Sequence, residues 1–124
     1  MYELAVSRDF VAQHFLTVPD PGPEGEVHSH HYEADVRFAG PEVNEYGYLV
    51  DIDAVEAALD EIADRYRDEL LNDVPAVEGN PSVERFARVF ADDVAARLDP
   101  DAAETLTVRM WEDDVAWASY ERPL

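Results

Sequence analysis

No cysteine occurs anywhere in the chain, so disulfides, thiolate metal ligands and cysteine nucleophiles are all excluded. Lysine is absent too: every one of the 9 basic residues is an arginine, set against 29 acidic residues for a net charge of −20. That balance argues against nucleic acid as a partner, because phosphate contacts need clustered cations. No apolar run approaches the roughly 20 residues a membrane span requires. The N-terminal MYELAVSRDF lacks the charged and apolar regions of a signal peptide. The expectation is a cytoplasmic protein with no membrane or nucleic-acid partner. Disorder does not follow from the acidity, since 47% of the residues are hydrophobic and recur with clear periods. Acidic side chains on solvent faces, without lysine, suit a halophilic protein in a high-salt cytoplasm, where screening weakens their mutual repulsion.

At 124 residues the chain is expected to form one domain over residues 1–124. Tyr2, Leu4 and Val6 alternate with Glu3, Ala5 and Ser7, the pattern of a half-buried strand whose apolar character continues through Phe10 and Phe15. Residues 19–25, PDPGPEG, make a loop. Tyr32, Ala34, Val36 and Phe38 then alternate with Glu33, Asp35 and Arg37, giving a second strand paired with the first. After a turn at 44–47, Asp51 or Asp53 can cap a helix that carries Val55, Leu59, Ile62, Tyr66 and Leu70 on one face over residues 54–71. A second helix is expected to start at the capping Ser82, bury Phe86, Ala87, Phe90, Val94 and Leu98, and stop at Asp99-Pro100. A hairpin closes the chain: Leu106, Val108 and Met110 alternate, Glu112-Asp113-Asp114 turns, and a last strand runs from Ala116 to Tyr120. The order ββααββ implies an α+β fold, a four-stranded antiparallel sheet with two helices on one face. Such a sheet leaves strand edges exposed, and oligomerisation is the expected remedy.

Chemistry concentrates in EGEVHSHHYEADVRF, residues 24–38. His28 and His30 stand two residues apart before the second strand, so period-2 geometry points them the same way, with Tyr32 following. Paired neutral imidazoles suit Zn²⁺, and His14, outside this cluster, supplies a third ligand. The candidate metal site is therefore His14, His28 and His30. The same cluster can also be read as a solvated strand end.

Six segments carry a resemblance that spans nearly the whole chain in order. They are Phe10-Val11-Ala12-Gln13-His14, His28-Ser29-His30, Gly47 with Asp51, Leu71-Asn72-Asp73, Asn80-Pro81-Ser82-Val83-Glu84, and Glu112. In these the chain resembles the 6-pyruvoyl-tetrahydropterin and 6-carboxy-tetrahydropterin synthases of the tunnelling-fold group, with serine replacing glycine in the H-G-H pair. The resemblance implies Zn²⁺ held by His14, His28 and His30, and a pterin ring held by Glu112, whose carboxylate can accept from an amide N–H and an exocyclic amine together. It also implies a homohexamer built as a dimer of trimers, with sites between subunits, where His14, His28 and His30 come from one chain and Glu112 from a neighbour. By composition alone Glu112 reads as an exposed turn acid, and Ser82 as a plain helix cap.

The departures fall on the catalytic positions. Glu24 stands where the family carries its cysteine, and Arg67-Asp68 where it carries an Asp-His pair. A glutamate-bearing subgroup is associated with cleaving the side chain of 7,8-dihydroneopterin triphosphate to 6-hydroxymethyl-dihydropterin. By that likeness Glu24 takes a proton, Asp68 assists, and Glu26 is a rival base. The implied activity is a zinc-dependent lyase acting on a dihydropterin side chain, giving a 6-hydroxymethyl- or 6-carboxy-type product. The alternatives are a degenerate family member that binds zinc and pterin without turnover, and an acidic α+β domain with no metal.

Overall fold

The computed structural model describes all residues from Met1 to Leu124. Two long strands come first, β1 (Tyr2–His14) and β2 (His28–Gly40), followed by helices α1 (Ile52–Tyr66) and α2 (Val83–Arg97), then β3 (Thr105–Glu112) and β4 (Ala116–Pro123). All neighbouring strands pair antiparallel in the spatial order β1-β2-β3-β4. Both helices pack on one face of this sheet, as the ββααββ reading expected.

Alternation decides which residues meet the helices. Even-numbered positions point inward: Phe10 and Ala12 from β1, Tyr32, Ala34, Val36 and Phe38 from β2, and Leu106, Val108 and Met110 from β3 are all buried. The helices answer with Val55, Leu59, Ile62 and Tyr66 from α1 and Phe86, Phe90 and Val94 from α2. Phe10, Tyr32, Tyr66, Phe86 and Phe90 form one aromatic cluster with ring centroids 5.0 to 6.2 Å apart. Each such side chain, fully buried, contributes roughly 1.5–3 kcal/mol, so this cluster anchors the sheet to the helices at the end where the histidines lie.

Asp51, not Asp53, caps α1, its side chain accepting from the amides of Asp53 and Ala54, and Ser82 caps α2 through the amide of Arg85. The helix expected over 54–71 stops instead at Tyr66, because Asp68 takes the left-handed conformation (φ 61°). The chain then runs beside the outer edge of β1, with the Asp68 amide donating to the Val11 carbonyl (2.7 Å) and the Gln13 amide to the Glu69 carbonyl (2.9 Å). Leu70 therefore bridges to Gln13 rather than extending the helix. β2 likewise starts at His28, four residues before the expected strand, so the histidines stand within the ladder.

Loops are tied to the strand ends by side chains. Asn72 acts as a substitute for backbone, its Oδ1 accepting from the Phe15 amide (3.0 Å) and its Nδ2 donating to the Phe15 carbonyl (2.9 Å). Asn80 Oδ1 accepts from the Thr17 amide (2.9 Å). These two asparagines fix the chain just beyond His14, a structural use for the motifs that contain them.

Candidate active site

Three strand positions build the site. His14 ends β1 and pairs directly with His28 at the start of β2, while His30 pairs with Ala12, so the three rings share the helix-facing side of the sheet. Their centroids lie 4.6 to 4.9 Å apart. One nitrogen from each falls within 4.8 Å of the others, and the group could hold a metal ion.

The partners of Nδ1 decide which nitrogen is free. His14 Nδ1–H donates to the Pro81 carbonyl (3.0 Å), His28 Nδ1–H to the Glu26 carbonyl (2.7 Å), and His30 Nδ1–H to Asp113 Oδ2 (2.5 Å). Carbonyls and carboxylates only accept, so each Nδ1 carries a proton, and in the neutral ring Nε2 is then the nitrogen with the free lone pair. The Nε2 atoms of His28 and His30 are buried and lack any hydrogen-bond partner. Buried nitrogens with inward lone pairs and outer hydrogen bonds are the arrangement that ligating histidines adopt, so the donor set fits a divalent cation that favours nitrogen. Burial draws the pKa of His14 below its ordinary value, the Pro81 hydrogen bond opposes this, and the neighbouring His30 and His28 lower it further. The ring is thereby kept neutral, the form that binds metal.

Glu112 closes β3 opposite Tyr32, with Oε1 3.3 Å from His30 Nε2. It is half-buried beside the cluster and not a freely solvated turn acid, and it reaches the histidines of its own chain rather than a neighbour's, because β3 pairs with β2, the strand that carries His30. Burial pushes its carboxyl up from the usual range, His30 holds it down, and Asp113 and Glu24 push it up again.

Glu24 lies in a short 3-10 turn over Gly22–Gly25, its carbonyl accepting from the Leu16 amide (2.8 Å). Its carboxylate makes no hydrogen bond or ion pair within the chain, and its charge is a minor influence on His14 and Glu112. Glu26 enters through its backbone, as the acceptor for His28. Asp68 sits apart: its exposed carboxylate has neither hydrogen bond nor ion pair within the chain, and its amide meets β1 at Val11, three residues before His14. Pro81 stood out only within the family segment 80–84 and Asp113 only as a turn residue; that they orient two of the three rings had no signal in the sequence. Their contacts depend on a helix start and a hairpin arriving from distant parts of the chain.

The model of the family described as 6-pyruvoyl tetrahydropterin synthase matches residues 3–123. The chain belongs to that family. Comparison with curated proteins finds no matching sequence. Among solved structures, Plasmodium vivax 6-pyruvoyltetrahydropterin synthase is similar at TM-score 0.84 and 15% identity, covering 99% of this chain and 98% of that one. A variant of that enzyme with alanine in place of a catalytic glutamate is similar at TM-score 0.83 and 14% identity, with the same coverage. The Caenorhabditis elegans enzyme aligns at TM-score 0.81 and 18% identity, over 98% of this chain and 95% of that one. The fold is thus the tunnelling fold of the pterin synthases, a family of pterin-processing lyases. No helix is long and apolar enough to cross a membrane.

Proposed function

We propose that this protein is a zinc-dependent lyase that acts on the side chain of a dihydropterin, with 7,8-dihydroneopterin triphosphate as substrate and a 6-hydroxymethyl- or 6-carboxy-type pterin as product. One observation carries the reading: three imidazoles bring one nitrogen each within 4.8 Å of the others, two of them buried without a hydrogen-bond partner, beside a half-buried carboxylate. His14, His28 and His30 hold the metal, which when bound supplies Lewis acidity toward the side-chain oxygens of the substrate.

Glu112 accepts from the amide N–H and exocyclic amine of the pterin edge and sets the ring's orientation. Glu24 removes a proton from a side-chain hydroxyl. For the hydroxymethyl product, the neighbouring carbon–carbon bond breaks and a proton returns to the carbon left on the ring. Glu24 is favoured over Glu26 because it stands where the family carries its cysteine, and a catalytic glutamate in the Plasmodium vivax relative is consistent with an acid in that role. Asp68 is the assisting acid carried over from the family pattern. Its exposed position on the edge of β1 suits a role completed between subunits.

Assembly as a dimer of trimers fits the sheet, whose β1 edge is paired only near Val11 and Gln13 and whose β4 has no strand beyond it and leaves Trp117 and Tyr120 exposed. The unit is one cytoplasmic, halophilic domain. A second reading, zinc and pterin binding without turnover, is favoured by the lack of the family's cysteine and histidine at positions 24 and 68. The test is to incubate the zinc-loaded protein with 7,8-dihydroneopterin triphosphate and identify products by mass spectrometry. A shortened or rearranged side chain, lost in Glu24→Ala, is expected. Stoichiometric pterin binding without product selects the second reading, and no binding at all contradicts both.

A further inference from the structure

The three histidines are not held alike. His14 and His28 lean on neutral carbonyls of Pro81 and Glu26, whereas His30 donates to a carboxylate, Asp113 Oδ2, at 2.5 Å. The other oxygen of that carboxylate, Oδ1, accepts from the backbone amide of His31 (3.1 Å). Pairing between β2 and β3 ends at Tyr32 and Glu112, so this bond caps the next free amide beyond the ladder. Both contacts need an acceptor on each branch of the side chain. A carboxylate satisfies this; an amide, with one oxygen and one NH₂, does not.

Backbone conformation makes the contact possible. Asp113 follows Glu112 directly, yet the two acids meet the same ring from opposite ends, Glu112 Oε1 at Nε2 (3.3 Å) and Asp113 Oδ2 at Nδ1. The chain reverses between them because Asp113 adopts the left-handed region (φ 59°). Aspartate is among the few non-glycine residues that take this conformation readily, as Asp20, Asp68 and Asp101 also do in this chain.

The geometry points to Asp113 as a positioning residue for the metal: its carboxylate fixes the His30 ring, keeps the proton on Nδ1 and strengthens Nε2 as a donor. This rests on the reading that His14, His28 and His30 hold a metal, and it assigns the family's site an anchor that the sequence motifs do not contain. Outer hydrogen-bond partners of ligating histidines are typically worth about 10- to 100-fold in metal affinity.

The test is competition titration of Zn²⁺ against a chromophoric chelator for the full chain and for Asp113→Gly, Asp113→Asn and Asp9→Asn. Asp113→Gly suits the left-handed turn, which offsets part of the loss of the His30 and His31 contacts, so the metal-free variant should still melt cooperatively, while its Zn²⁺ affinity should fall about 10- to 100-fold. Asp113→Asn, able to keep one of the two contacts, should fall between. Asp9→Asn removes the acid that meets His31 Nε2 instead, and should leave the affinity within about twofold of the original. The d–d absorption of the Co²⁺-substituted protein should shift in Asp113→Gly and not in Asp9→Asn. If the unaltered protein binds Zn²⁺ tightly and Asp113→Gly binds it equally tightly, the inference is overturned while the metal site stands. If the unaltered protein binds no Zn²⁺, the metal site and the inference fail together.

Discussion

Replacing Glu112 by glutamine separates a functional carboxylate from a structural one. The side chain is half-buried, and burial raises its pKa above the ordinary carboxyl value, with His30 opposing the rise and Asp113 and Glu24 adding to it. A carboxyl whose folded pKa is raised contributes stability that is present below its unfolded pKa and lost as pH rises through the folded value. At neutral pH the ionised Glu112 therefore works against the fold, and Glu112→Gln should leave thermal stability unchanged or slightly higher. Pterin binding should move the other way. Two charge-assisted hydrogen bonds are lost, and the amide turns its own NH₂ toward a donor on the pterin edge. A net loss of about 2–3 kcal/mol, or roughly 30- to 150-fold in Kd, follows from typical values for hydrogen bonds to charged groups. The assay is quenching of pterin fluorescence at fixed zinc, with metal content and melting temperature measured on the same samples. A Kd within twofold of the original, or a fall in melting temperature that accompanies weaker binding, would refute this reasoning.

Three further outcomes follow from the same geometry. Glu24→Gln should reduce kcat by about 100-fold or more, the usual scale of general-base loss, with pterin Kd nearly unchanged, and Glu26→Gln should leave both kcat and Kd nearly unchanged; steady-state kinetics decide between them. His14 has a lowered pKa through burial, so its contribution to stability is present above the unfolded value of 6.5 and lost as pH falls from there through the folded one. Thermal melts of metal-free protein should decline across that window, less steeply in His14→Gln. With a net charge of −20, lowering salt from 1 M to 0.1 M lengthens the screening distance from about 3 to about 10 Å and should depress the melting temperature, which a melt at each salt concentration checks.

Much of this fold could be read from local pattern because its elements are locally consistent. Period-2 alternation marked the buried face of β1 and β2, and Ser82 announced the start of α2. The end of α1 was misjudged because Leu70 keeps the helical spacing of Leu59, Ile62 and Tyr66. What stops the helix is the docking of residues 68–70 against the edge of β1, a long-range contact that spacing does not contain. The three histidines were legible since two of them share a strand face and the third closes the strand beside them. Asp113 was not, because a turn aspartate looks alike whether it caps its own backbone or reaches a ring 83 residues away in sequence. Asn72 and Asn80 came to notice through the family pattern, and only the folded chain reveals their task of clamping residues 15–17.

The central claim is that His14, His28 and His30 form a metal centre, and elemental analysis of the purified protein tests it most directly. About one zinc per chain is expected from a site of this donor set, with loss of zinc in His28→Ala and a circular dichroism spectrum that stays folded. A chain that carries no stoichiometric metal after loading and desalting, or an His28→Ala variant that retains zinc undiminished, would contradict it.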